Sequence, residues 1–370
     1  MSLIRRLSLC LFVGGILCSP GLAQAQMGKV DTSHLTDSSF AVLRIDVKEV
    51  LKQVGKDSPN VKRIAQMLKQ ELLIDLHTMS AITLQVGPPV EGDEEPTLTL
   101  TIEFDQAVDQ TALLKRFGRS NDFEEAEYRG KKFLKAASPY DPSVYFESKT
   151  KITMSSQAVM ESILDASGMG NISSRLKALP PGCELAIVLS KTEGFDENKK
   201  QVLDLIGIPP VGLADFLDSA ESAFVYFHST SGTPFFMQAI FDDAGVAASA
   251  KSSLEGLVES GKTTVPAIKK YLNEQIEGLG DSTERFAAMQ RNMMKKGLRG
   301  LDMAEVLLAG MDIQVKGKTL DVQSKHMGGI KGFGELLFFG MQEFGLGFSD
   351  VPAGPPVGPV DEAEKVLRKK

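Results

Sequence analysis

The sequence predicts an α+β protein built from two tandem repeated units, each a mainly antiparallel sheet with helices packed on one face. Residues 97–104 alternate apolar and polar side chains without a fault. This pattern is typical of a strand in an antiparallel sheet with one face in water. The motif Leu179-Pro180-Pro181-Gly182, here named the seam, precedes an apolar run at 184–189 that reads like the run at 40–45. We interpret the seam as the boundary between the two units.

The first unit, residues 40–178, follows an order of strands and helices that its apolar periodicity and its turn residues predict. A buried strand and an amphipathic helical stretch open the unit, and a second strand leads to the alternating strand. Asp105 then opens a helix, and a hairpin turns at Arg129-Gly130. A strand pair and a closing helix complete the unit. The segments are 40–46, 47–76, 79–86, 97–104, 105–117, 127–135, 144–155 and 157–164.

The same order returns in the second unit, residues 179–348. Ala186 onward matches Ala41 onward, and four further matches follow in chain order. They pair Ser80 with Ser222, Pro96 with Pro234, Phe104 with Phe241 and Lys149 with Lys318, at offsets of 142, 138, 137 and 169. The jump from 137 to 169 predicts an insertion of 32 residues in the second unit, within a helical stretch at about 264–309. Order that repeats in this way indicates a duplicated α+β layer.

Both ends of the chain carry segments outside these units. Residues 1–25 read as a signal peptide, with Arg5 and Arg6 before an apolar run and a small-x-small site ending at Ala25. We therefore expect cleavage after Ala25 and a periplasmic or extracellular protein, with a polar leader at 26–39. Residues 333–344 predict a docking helix too short to span a bilayer. Residues 349–370 predict a mobile tail rich in Pro and Gly.

Charge and cysteine content narrow the classes of partner. Without the signal peptide the chain has 39 basic and 48 acidic residues, a net charge of −9. An acidic chain without a basic cluster is a poor ligand for phosphate backbones, so we expect no nucleic-acid partner. Cys183 is the one thiol left after cleavage, so internal disulfides cannot stabilise the mature chain. We predict that Cys183 is a small buried apolar side chain.

Residues 256–263 match a phosphate-binding loop, G-x4-G-K-T. Such a loop needs a buried strand before it and a helix that begins at its Lys and Thr. Here the preceding residues repeat at helical spacing instead. We interpret Gly261 as the end of one helix and Pro266 as the start of the next, and predict no nucleotide site.

The other short motifs also have structural interpretations. Ser174 and Lys177 match the S-x-x-K of penicillin-recognising acylases, but without that family's further Ser and Lys partners. The four His residues stand at no spacing typical of a metal site. Asp105, Asp242 and Asp243 follow strands, where a carboxylate ordinarily caps the next helix. We therefore predict no catalytic residue, no metal site and no cofactor.

One apolar stripe on the inserted helical stretch is the candidate site. Its members are Phe286, Met289, Met293 and Met294. Core packing is the ordinary role of such a stripe. A flexible apolar surface for a ligand or a protein partner is the functional alternative. A soft-metal site is disfavoured, because thioethers here have no His or Cys neighbours.

The chain resembles a broad group of uncharacterised exported bacterial proteins with repeated α+β domains. The resemblance lies in the seam, in the similar apolar run that begins at Phe40, and in the tandem layout. The resemblance implies a location in the cell envelope and assigns no activity and no functional residues. Our hypothesis from the sequence is a non-catalytic binding or scaffolding protein of the envelope. Two alternatives stay open: a carrier of an apolar ligand between sheet and helices, and a hydrolase whose site is assembled from distant residues.

Overall fold

The structure is a computed structural model of the 370-residue chain. It describes residues 30–56, 59–72, 74–90, 94–117, 123–138, 141–205, 219–228, 234–280 and 285–324. The predicted signal peptide and the predicted segments at 333–344 and 349–370 lie outside these described residues. Within them, the α+β class with a large antiparallel sheet is confirmed.

The described residues contain twelve strands and eight α-helices. The strands are β1 Ala41–Asp46, β2 Met79–Gly87, β3 Thr97–Phe104, β4 Phe123–Tyr128, β5 Lys131–Ala136, β6 Ser143–Ser148, β7 Lys151–Ser155, β8 Leu185–Ser190, β9 Ala220–Phe227, β10 Phe235–Phe241, β11 Met311–Lys316 and β12 Thr319–Ser324. The helices are α1 Val47–Val54, α2 Pro59–Leu72, α3 Gln110–Phe117, α4 Gln157–Asp165, α5 Asn171–Lys177, α6 Phe195–Leu205, α7 Ala244–Gly278 and α8 Arg285–Ala309.

All twelve strands join one sheet, in the order β11-β12-β10-β9-β8-β1-β2-β3-β7-β6-β5-β4. Each neighbouring pair is antiparallel, and β1 pairs with β8 near the middle, with Leu43 opposite Ile187. The sequence had predicted one sheet for each unit. The structure joins them, because an unpaired β1 and β8 would each expose a row of backbone N–H and C=O groups.

Helices lie on both faces of this sheet, which corrects the prediction of helices on one face. Leu43 and Ile187 pack in the main core cluster with Val50 of α1 and Val202 of α6. The next residue along β1, Val42, points to the other face. It packs there in a second cluster with Val188 of β8 and with Ile172 and Leu176 of α5. Strands buried on both faces need cover on both faces, as the unbroken burial of β1 requires.

The polar face of β3 is buried, whereas its alternation predicted a face in water. Thr99 bonds Ser155 across the sheet at 2.8 Å and Thr101 bonds Thr153 at 3.1 Å, between hydroxyl oxygens. The predicted polar leader covers this region. Lys151 of β7, on the same face, forms a 2.5 Å ion pair with Asp31 of the leader. The hydroxyl pairs and the leader together replace the water that the pattern predicted.

The pairing of β1 with β8 makes Leu43 a sensitive position. Leu43→Ala leaves a cavity in the main cluster, so we expect the free energy of unfolding to fall by about 2–5 kcal/mol. Urea denaturation measures this loss. Leu257→Ala is the matched control, because Leu257 is 56% exposed and its loss should cost less than about 0.5 kcal/mol. Equal losses in the two variants would contradict the burial assigned to Leu43.

Candidate partner-binding surface

The candidate site lies on an antiparallel helical hairpin formed by α7 and α8. Asp243 starts α7 as its N-cap, accepting a hydrogen bond from the backbone N–H of Gly245 at 2.6 Å. Ala247 and Leu254, in the first turns, pack with Phe241 of β10 and Leu320 of β12. A helix of 35 residues is about 52 Å long at 1.5 Å per residue. Most of α7 therefore runs on past its anchor on the sheet.

Contacts at three places fix α8 against α7. Lys269 of α7 forms ion pairs with Asp302 and Glu305 of α8, both at 2.6 Å. Near the turn, Arg291 donates a hydrogen bond to the carbonyl oxygen of Gly280 at 2.7 Å. At the sheet end, a methyl group placed on Gly261 would lie 2.9 Å from Leu308 Cδ1. Glycine at 261 therefore allows the two helices to approach closely.

The predicted helix break between Gly261 and Pro266 is wrong. One helix continues from Ala244 to Gly278 with Pro266 inside it. Proline costs stability within a helix because it lacks an N–H and its ring crowds the preceding turn. The helix continues nevertheless, and α8 contacts it on both sides of Pro266, through the approach of Gly261 to Leu308 and the ion pairs of Lys269.

The G-x4-G-K-T motif lies wholly inside α7 and so forms no phosphate-binding loop. Its backbone N–H groups point along a helix interior instead of converging on an anion. Lys262 pairs with Glu259 at 2.5 Å, and the hydroxyl of Thr263 donates to the carbonyl oxygen of Ser260 at 2.8 Å. The Lys and Thr of the motif therefore have local helical partners.

The structure places the predicted stripe on α8, with three of its four members exposed to solvent. Phe286 is 66% exposed, Met289 47% and Met293 42%. Met294 is partly buried. Large apolar side chains this exposed, and adjacent at helical spacing, are a feature of binding surfaces.

Three exposed apolar residues of α7, which were not predicted from the sequence, extend the surface. Leu257 is 56% exposed, Ile268 37% and Tyr271 58%. At 100° per residue the three lie on one stripe, about 95° from the line of buried Val258 and Val265. Their common stripe was a signal in the sequence, but the wrongly predicted break between Gly261 and Pro266 divided it.

The stripes of α7 and α8 come to the same side of the hairpin. On α8, the exposed residues lie about 90° from the line of Ala287, Leu301 and Leu308, in the same rotational sense as on α7. Two antiparallel helices are related by a two-fold axis perpendicular to the plane that contains them. On each helix the exposed stripe is turned by a similar angle, in the same sense, from the line that contacts the other helix. Both stripes therefore lie on the same side of that plane. We call this surface the apolar face. Its residues are Leu257, Ile268, Tyr271, Phe286, Met289 and Met293.

The other sequence motifs have structural partners. The Ser174 hydroxyl donates to the carbonyl oxygen of Gly170 at 2.7 Å, and Lys177 donates to that of Gly168 at 2.6 Å. Cys183 is buried as predicted, and burial raises the pKa of its thiol. A buried thiol held in its neutral form is a weak nucleophile.

The predicted Asp caps are correct at one position and wrong at two. Asp243 caps α7. Asp105 does not open a helix: it forms a 2.5 Å ion pair with Lys48, and α3 begins later at Gln110. Asp242 instead shares a hydrogen bond with Glu221 of β9, which raises the pKa of Glu221. The N-cap of α7 is Asp243.

A cavity of about 540 Å³ opens beside this pair of carboxyl groups. Its lining is mainly polar and acidic. It includes Lys191, Glu193, Asp196, Glu197, Glu221 and Asp242. Within the described residues, no group of three or more His, Cys, Asp or Glu is arranged to hold a metal ion. An acidic lining of this kind offers little to an apolar ligand.

His34 of the leader is a buried titratable group with a strongly shifted pKa. It is 5% exposed, and neither ring nitrogen has a hydrogen-bond partner in the described part of the chain. Burial, followed by the positive charge of Lys151, lowers the pKa of His34 to about 3. On the same face, Arg44 donates to Glu103 at 2.8 Å. A neutral imidazole enclosed in this way packs the leader against the sheet.

Comparisons with known proteins add little to this geometry. No protein-family model matches the chain, and no curated protein matches it. A solved structure described as crystal form I of TP0453 aligns with 83% of this chain and 96% of its own chain, with 9% identity and a TM-score of 0.36. A likeness at that TM-score carries no argument. Among the helices of the described ranges, none has both the length and the apolarity that a membrane span requires.

The pKa of His34 predicts how stability depends on pH. Its folded pKa of about 3 lies below the unfolded value of 6.5, so the unfolded state binds the extra proton between these values. Stability from this group is therefore present above pH 6.5 and falls as the pH falls. From pH 7 to pH 4 we expect a loss of about 3 kcal/mol.

Urea denaturation at several pH values tests this dependence. In His34→Leu, the fall in stability between pH 7 and pH 4 should be smaller than in the wild type by about that amount. His77→Leu is the control, because His77 is exposed, and it should keep the wild-type dependence. A wild-type slope in His34→Leu would mean that His34 is not buried in the neutral form.

Proposed function

We propose that this chain is an exported, non-catalytic protein of the cell envelope that binds a protein partner through the apolar face. One observation carries the proposal: six large apolar side chains are exposed on one side of a braced helical hairpin. Monomeric proteins seldom leave such a surface uncovered. Flexible Met side chains beside aromatic ones are typical of partner-binding surfaces.

A protein partner fits the apolar face better than a small apolar ligand does. A carrier would enclose its ligand in an apolar cavity, with most of the ligand surface covered. The Phe and Met stripe lies on the solvent side of the hairpin instead, away from the sheet clusters. The cavity described above is lined mainly by charged residues.

The strand positions support two tandem units as the origin of the fold. An offset of 144 carries β1 onto β8 residue for residue, and an offset of 137 carries β3 onto β10 to within one residue. Offsets of 141 and 168 do the same for β2 with β9 and for β7 with β12. The pairing registers are consistent with all four offsets.

The offsets between strands show which elements occur in both proposed units and which occur in one of them. Three of the offsets from the sequence, 145 for β1, 142 for β2 and 169 for β7, each differ by one from those of the strands. A shift of one residue exchanges the two faces of a strand. Between β3 and β7 the first unit has α3, β4, β5 and β6, whereas the second has α7, α8 and β11. The hairpin that carries the apolar face is thus particular to the second unit.

Site-specific photo-crosslinking in the producing cells tests the partner proposal. A photoreactive side chain at Met289 should give a discrete adduct with another envelope protein. Lys295 is the control position, exposed at nearly the same depth on α8 and about 150° around the helix from the apolar face. Equal adducts at the two positions, or none at Met289, would contradict the proposal.

A paired substitution then tests the energetics with the partner so identified. Phe286→Ser with Met293→Ser should weaken binding of the purified partner at least about thirtyfold, since losing central apolar anchors costs about 2 kcal/mol or more. Thermal unfolding should be nearly unchanged because both side chains are exposed. If the double variant binds the partner with the wild-type dissociation constant, the apolar face is not the binding surface.

A further inference from the structure

We propose that the outer edge of β11 pairs with the same edge of a second copy of this chain, so that two sheets join across a two-fold axis. Within the described residues, β11 and β4 are the two end strands of the sheet. An end strand presents a row of backbone N–H and C=O groups to a further strand. None of the six residues of the apolar face belongs to β11, so this inference goes beyond the proposed function and does not rest on it.

The pairing of β10 with β12 determines which backbone groups of β11 point outward. The N–H of Phe241 donates to the carbonyl oxygen of Lys318 at 2.9 Å. Successive residues of a strand direct their backbone groups to alternate sides, so Lys318 bonds to β10 and Thr319 bonds to β11. Thr319 is opposite Lys316, so Lys316 and every second residue before it bond to β12. The groups that point outward are those of Met311, Ile313 and Val315.

Two copies of β11 fit each other in an antiparallel register centred on Gln314. This register sets Ile313 opposite Val315 of the other copy, so outward backbone groups meet outward backbone groups. It also sets Asp312 opposite Lys316 of the other copy, once on each side of the axis, and opposite charges across two strands stabilise their pairing. Within one chain the same two residues are about 13 Å apart along the strand. Their charges therefore meet between copies and not within one.

The apolar side of β11 is suited to a continued sheet. Ile313 and Val315 are partly buried against the cluster beneath α7, so pairing them with their counterparts extends that cluster across the axis. α7 packs over β10, β12 and β11, with β12 in the middle. The two copies of β12 would be three strand spacings apart, about 14 Å. Packed helices need about 8–10 Å, so the two copies of α7 do not collide.

The other end of the sheet carries charges that oppose the same kind of pairing. Three of the six residues of β4 are glutamates. Pairing two copies of β4 about its centre would set Glu124 opposite Glu127, and like charges in that position are destabilising. Charged edges of this kind prevent edge-to-edge association. β11 has two charged residues of opposite sign, no Pro, and an unbroken register with β12, so it is the edge that favours a second copy.

Disulfide trapping in the purified protein tests the register. Gln314 would lie opposite itself at the axis, with Cα atoms about 4.5 Å apart, within the range of a disulfide. In Gln314→Cys, oxidation should therefore link two chains at least about tenfold faster than in Lys318→Cys. Lys318 is exposed like Gln314, but its Cα atoms in the two copies would be about 26 Å apart. Cys183 is buried and should not react. Equal rates in the two variants would overturn the pairing.

A charge reversal and its compensation test the contact between Asp312 and Lys316. Sedimentation equilibrium should show a dimer whose fraction rises with protein concentration. Lys316→Asp opposes two carboxylates on each side of the axis and should weaken dimerisation at least about tenfold. Adding Asp312→Lys restores opposite charges and should return the dissociation constant to within about threefold of the wild type. A wild-type protein that is monomeric at every concentration, or a double variant as weak as the single one, would overturn the proposed interface.

Dimerisation and partner binding have separate outcomes. If the pairing through β11 fails, the photo-crosslinked adduct at Met289 is still expected, because that position lies on the hairpin. If Gln314→Cys forms the linked dimer and Met289 gives no adduct, the pairing through β11 holds and partner binding through the apolar face does not.

Discussion

The pairing of β1 with β8 is the interaction on which the rest of this structure depends. It converts two groups of strands into one twelve-stranded sheet, with Leu43 opposite Ile187. The main core cluster crosses this junction, since it contains residues of α1 and β1 together with residues of β8 and α6. Without the pairing, two apolar strands would each have an unpaired edge, and the clusters on both faces would lose one wall. The seam turns into β8 at Gly182, whose φ of +83° favours glycine.

The same sheet determines where the candidate surface lies. β10 ends at Phe241 and α7 begins at Ala244, while α8 ends at Ala309 and β11 begins at Met311. Both ends of the hairpin are therefore fixed by strands near one end of the sheet, β10 and β11. The ion pairs of Lys269 then hold the two helices in register. Stability thus comes from the centre of the sheet, and the surface open to a partner lies on an arm attached near its edge.

Local patterns in the sequence predicted the local features of this fold. The alternation of residues 97–104 is β3, the Arg129-Gly130 turn joins β4 to β5, and Asp243 caps α7. The stripe on α8 followed from spacing alone. Features that depend on distant residues could not be predicted in this way. Every residue of β1 is buried, so the alternation that would reveal its register and its two covered faces is absent. Thr99 and Thr101 read as exposed until residues 30–39 pack over them, and Pro266 reads as a break until α8 packs beside it.

Native-state hydrogen exchange of β1 and β8 tests the central pairing most directly. If the pairing unites the sheet, the slowest amides of both strands exchange through global unfolding alone. Their opening free energies then equal each other and the free energy of unfolding measured by denaturant. Opening of β1 and β8 at a clearly lower free energy, while β3 and β10 keep their protection, would contradict the account. It would mean that the two groups of strands fold as separate units that touch at β1 and β8.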